Sequence, residues 1–125
     1  MRRHLTAEQA LAIARTAVGG PINVRDVGLV EAAVRRPRAA VLRLDAYPDP
    51  VSKAAALLHS LATTRPLVDG NERLAWLATV VFLAKNEVVL DADDEEAFDL
   101  VRAITSGELD EVSDIAARLA TFTTA

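Results

Sequence analysis

The stretch Arg65-Pro66-Leu67-Val68-Asp69-Gly70-Asn71-Glu72-Arg73 sets residues able to handle a phosphate directly before a long apolar run, Leu74 to Ala84. A helix starting near Asn71 would present its first backbone N–H groups without intrahelical partners, and those groups bind anions. Gly70 would let the chain approach a ligand closely, while Asn71 and Arg73 would add an amide and a guanidinium. Asp69 suits two roles, capping the helix or holding a magnesium ion that bridges phosphate oxygens. Local physics alone favours the cap.

The elements that would position this stretch are helical. Thr6-Ala-Glu-Gln9 has capping-box spacing, and Ala10, Ile13, Ala14 and Ala17 follow at helical intervals until Gly19-Gly20-Pro21 ends the helix. A second helix is expected from Asp26 to Arg36, with Val27, Val30, Ala33 and Val34 inward and Pro37 as its stop. Arg38 to Pro48 reads as either a short helix or a surface loop. Asp49 and Pro50 then suit the cap and first position of a third helix, whose face of Val51, Ala55, Leu58 and Ala62 is widened by Ala54, Ala56, Leu57 and Leu61. The run after Gly70 reads as a buried central helix closing at Asn86 in a left-handed cap, followed by an extended Val88-Val89-Leu90. Asp93 and Asp94 open a fifth helix with Phe98, Val101 and Ile104 inward, and Gly107 closes it. A last helix from Glu111 to Phe122 buries Val112, Ile115, Leu119 and Phe122. No repeat or linker interrupts the chain, so residues 1–125 are expected to form a single all-α domain of five or six helices around a buried central helix.

Composition bounds the function. The chain of 125 residues is 51% hydrophobic and has no cysteine, so thiolate metal sites and disulfides are excluded and a cytoplasmic setting is expected. The apolar run spans only 11 positions, against the roughly 20 a membrane crossing requires. Net charge is −4, with eight arginines in residues 1–43 and eleven carboxylates in residues 87–114, which argues against a nucleic-acid-binding protein of the helix-turn-helix kind. Both poles read first as solvated surface.

The central stretch resembles the signature of the Doc (death-on-curing) toxin family within the Fic/Doc superfamily, matching it at Pro66, Leu67, Asp69, Gly70, Asn71 and Arg73. The resemblance extends forward through Ala75 to Asn86 and the Ser106-Gly107-Glu108 turn, and backward to Gly19-Gly20-Pro21 and the second helix. It implies a compact helical fold and an ATP- and magnesium-dependent toxin that phosphorylates translation elongation factor Tu. It also implies an antitoxin partner that lays an amphipathic segment into an apolar groove. Asp69 would be the magnesium residue, Asn71 and Arg73 the phosphate clamp, and Gly70 and Glu72 part of the nucleotide contact. Trp76 stands where adenylyl-transferring relatives usually carry a second arginine, which favours the phosphoryl-transferring branch.

Two positions depart from that pattern. Arg65 stands at the family's catalytic histidine, and a guanidinium has no acceptor lone pair with which to take a proton. Glu72 stands where lysine is common and repels phosphate. Losing a general base typically removes about 10²–10⁴-fold of rate. His59, six positions upstream on the third helix, is a stand-in by proximity but reads more readily as a packed residue, and His4 is expected at a mobile end. The chain is therefore expected to be either a weakened transferase or a catalytically silent binding module, with protein adenylyl transfer a further alternative. Arg65 and Glu72 fit long-standing degeneracy and the disabling of an active toxin equally.

Overall fold

The computed structural model describes residues 3–123 and contains six α-helices: α1 (Ala7–Val18), α2 (Val27–Arg35), α3 (Pro50–Thr64), α4 (Asn71–Lys85), α5 (Asp94–Thr105) and α6 (Val112–Ala120). The N-terminal boundaries follow from side chains that satisfy orphan amides. Thr6 and Gln9 form the expected capping box on α1, and Asp93 with Glu96 forms a second one on α5. Asp26 accepts from the Gly28 N–H to open α2, and Asp49 accepts from Ser52 to open α3 behind Pro50. At the other end of α1, Gly19 takes the left-handed conformation (φ 75) that an L side chain resists.

The core lies around α3, in which every residue from Lys53 to Leu58 is buried. This helix packs against α4, α6, α2 and α5, so it needs apolar residues on all sides. α4 buries only a stripe, Asn71, Leu74, Ala75, Ala78, Thr79, Phe82 and Leu83. Of its other apolar side chains, Trp76 and Leu77 are half-buried and line a pocket. The chain's N-terminal segment is fastened to the far end of α4, where Asn86 exchanges hydrogen bonds with the backbone of Arg3 and Lys85 donates to the carbonyl of His4.

Several expectations are corrected. α2 stops at Arg35, and Pro37 sits inside a 3₁₀ turn, Arg36–Arg38. The ambiguous segment that follows is a hairpin of two-residue strands, β1 (Ala40–Val41) and β2 (Leu44–Asp45), in antiparallel register Ala40 with Asp45 and Val41 with Leu44. Its turn residues Leu42 and Arg43 both have positive φ, 53° and 69°. Val27 and Phe98 point outward, 51% and 61% exposed. Asn86 is not left-handed (φ −103); Glu87 takes that conformation instead, because the Asn86 amide is occupied by Arg3 and by the Phe82 carbonyl. His4 is packed, with its ring against Phe82 and its Nδ1 buried without a hydrogen-bond partner.

Lys53 is the least expected core residue, 2% exposed, with its ammonium donating to the Pro37 carbonyl (3.1 Å) and the Asp45 carboxylate (3.3 Å). It fastens the hairpin to α3. Lys53→Met keeps the volume but leaves the Pro37 carbonyl without its donor, at a cost of about 1–3 kcal/mol. Thermal unfolding should register that loss, and exchange of the Ala46 amide, which closes the hairpin onto Ala39, should accelerate. An unchanged melting temperature with unchanged exchange would show that the hairpin is held otherwise.

Candidate functional site

α3 ends at Arg65, which is left-handed (φ 51, ψ 66), and Pro66 follows with no N–H to donate. The loop then closes on itself through Asn71, 1% exposed, whose Oδ1 accepts from the Leu67 N–H (2.8 Å) while its Nδ2 donates to the Leu67 carbonyl (2.9 Å). Gly70 reaches φ 88 at the N-cap of α4, and a Cβ there would lie 2.9 Å from Val18 Cγ1. Only glycine satisfies both the backbone angle and the contact.

Gly70 at the N-cap has no side chain with which to bond the first amides of α4, and the start of the helix lines a pocket of about 950 Å³. Asp69, Gly70, Glu72 and Arg73 form the polar wall of that pocket, and Val18, Trp76, Leu77, Ala97, Phe98 and Val101 form its apolar walls. Asp94 and Arg102 add charges from α5. The Asp69 carboxylate accepts from the Gly70 N–H (3.0 Å), ahead of α4's first turn, contrary to the capping role that local physics favoured. Arg73 reaches the Ala17 carbonyl with one nitrogen at 3.4 Å.

Of the residues singled out in the sequence, Asp69, Gly70, Glu72 and Arg73 are brought together on the pocket wall. The Asn71 side chain faces inward to Leu67, and Asn71, 1% exposed, is not among the residues that line the pocket. Arg65 is not part of the wall; its Nη1 donates to Glu72 Oε1 at 2.9 Å, with both side chains half-exposed. That hydrogen bond, then one from Glu72's own backbone amide, holds the Glu72 carboxyl below its ordinary range against the opposing effect of partial burial. His59 is engaged elsewhere: Arg36 lies 2.7 Å from its Nδ1 and Asp110 2.9 Å from its Nε2. Because arginine only donates, Nδ1 must accept and Nε2–H must face Asp110. The α5 wall was missed; its signal was Phe98 and Arg102, one helical turn apart and off the buried stripe of Ala97, Leu100, Val101 and Ile104.

The chain resembles known proteins along its whole length. A model of the Fic/DOC family matches residues 4–83. The protein named Toxin Doc from Mycolicibacterium smegmatis is 46% identical over 127 residues, an alignment spanning 100% of this chain and 97% of that protein.

Two outcomes test this geometry. Gly70→Ala should destabilise by about 1–3 kcal/mol through strain at positive φ plus the Val18 contact, and adding Val18→Ala should recover only the contact's share in thermal unfolding. Glu72, with a folded pKa below its ordinary 4.5, contributes stability that is present above that value and fades as pH falls through the depressed one. Arg65→Ala should therefore raise the Glu72 pKa in a carboxyl-carbon NMR titration; an unmoved titration would mean that the ion pair does not persist in solution.

Proposed function

The chain belongs to the Fic/DOC family, in its Doc branch, and from that premise we propose that it is a Doc-like toxin of a toxin–antitoxin pair. Its pocket would take the phosphate tail of magnesium-bound ATP for transfer to a hydroxyl of translation elongation factor Tu, with the transfer step weakened by Arg65 and Glu72. The observation that carries this reading is the convergence of Asp69, Gly70 and Arg73, at the start of α4, on one wall of a large pocket.

The residues fit a nucleotide phosphate in part. Arg73 and the start of α4 supply positive potential, and Asp69, exposed and with one internal hydrogen bond, would hold a magnesium ion. Bound there, the ion would neutralise phosphate charge and orient the transferred group. Trp76 and Phe98 offer ring surface deeper in the pocket. Glu72 opposes the fit by adding a carboxylate to the same wall, and the chain's two histidines lie away from it, so no imidazole stands ready to accept the hydroxyl proton.

That combination also favours a second reading, a catalytically silent module whose apolar wall of Trp76, Leu77, Ala97, Phe98 and Val101 receives an amphipathic antitoxin helix. Phe98, 61% exposed on an otherwise well-packed helix, supports such a partner surface. Adenylyl transfer is the weaker alternative, since Trp76 occupies the place of the second arginine usual in adenylyl-transferring relatives.

Trp76 is the chain's one tryptophan and lines the pocket, so its fluorescence reports occupancy directly. Mg-ATP should change that signal saturably, and Asp69→Ala and Arg73→Ala should each weaken the response. Restoring the family pattern with Arg65→His and Glu72→Lys should then raise γ-phosphate labelling of elongation factor Tu by about 10²–10⁴-fold. Neither binding nor labelling, together with tight capture of an antitoxin peptide, would replace the transferase reading with the silent module.

A further inference from the structure

A non-glycine residue in the left-handed region is strained and persists only where its neighbours hold it there. Arg65 is such a residue, and what holds it comes from the segment between α1 and α2. Val24 forms an isolated antiparallel bridge with Leu67. The Val68 N–H donates to the Asn23 carbonyl at 2.9 Å, and the N–H groups of Arg25 and Asp26 both donate to the Pro66 carbonyl, at 2.8 and 3.0 Å. The Arg25 side chain continues this ladder: its Nε donates to the Arg65 carbonyl at 2.9 Å and its Nη2 to the Thr64 carbonyl at 2.6 Å.

Nε and Nη2 lie on one edge of a rigid plane, so two bonds fix both the direction and the separation of two successive carbonyls. α3 has no basic residue in its last turn, and its terminal carbonyls carry partial negative charge that a cation from outside the helix complements. We propose that Arg25, outside the Arg65–Arg73 motif and absent from the pocket wall, is a positioning residue. Its fork holds residue 65 left-handed and so sets the direction in which that side chain leaves the loop and the path by which the loop enters Gly70. In this chain that direction takes Arg65 to Glu72. The inference rests on the fold and needs no nucleotide, so its failure is distinct from failure of the transferase reading.

NMR on the full chain tests it. In Arg25→Ala, the three-bond HN–Hα coupling and Cα shift of residue 65 should leave left-handed values, and the Leu67, Val68 and Gly70 amides should move. Exchange of the Val68 amide should rise at least about tenfold, the scale of a lost charge-assisted hydrogen bond. Adding Arg65→Gly, which removes the Cβ penalty at positive φ, should return the Leu67, Val68 and Gly70 amides to their original positions. A merely structural role would lower the melting temperature but leave residue 65 left-handed, and that result overturns the proposal, as does failure of the glycine rescue. Should Arg25→Ala not fold, Arg25→Lys, which keeps the charge without the fork, carries the same comparison: movement rescued by Arg65→Gly supports it, and an unmoved residue 65 overturns it.

Discussion

The site depends on one buried amide. Asn71 satisfies both polar groups of Leu67 from the first turn of α4, and a side chain only 1% exposed can do this only if the loop folds back over the helix it precedes. A buried peptide group without such a partner would cost on the order of 1–3 kcal/mol for each orphaned atom. The loop is therefore held in one shape. That shape leaves Gly70, which has no side chain, at the N-cap, where the start of α4 lines the pocket.

At that helix start, the surrounding charges decide what the pocket accepts. The helix end contributes about half a positive charge and Arg73 a full one, while Asp69 and Glu72 each contribute a negative one. Arg65 restores balance by pairing with Glu72 instead of facing the pocket. As a half-exposed ion pair it adds little to stability, typically about 0–1 kcal/mol. Its effect is on chemistry. Arg65 and Glu72 satisfy each other, so neither charge stands unpaired beside the pocket.

Much of the fold was legible because its boundaries are written in local side-chain chemistry. Thr6 with Gln9, Asp26, Asp49 before Pro50, and Asp93 with Glu96 all cap where their types and spacing place them. The hairpin was not legible: a two-residue turn with both φ values positive normally calls for Asn-Gly, and here Leu42-Arg43 adopts it. Its anchor, Lys53, is a residue type that is rarely buried, and nothing local marks it as an exception. Phe98 was misread because periodicity identifies an apolar side chain without saying whether it meets the core or lines a cavity. At the site, proximity in sequence put Asp69, Gly70, Glu72 and Arg73 together correctly. The inward turn of Asn71 and the pairing of Arg65 with Glu72 depend on how the loop closes, which spacing does not encode.

The determinants of shape and of chemistry occupy different positions. Shape comes from Pro66, Gly70 and Asn71 within the motif, from the 23–26 segment that pairs with it, and from Val18 beneath Gly70. The charge at the pocket is set by the side chains at 69, 72 and 73, with Arg65 paired to Glu72. The left-handed backbone at 65 is held by contacts to its carbonyl and its neighbours' backbone, and position 72 lies on an exposed face of the first turn of α4. Substitutions at these two places can therefore change what the pocket does while leaving its walls standing.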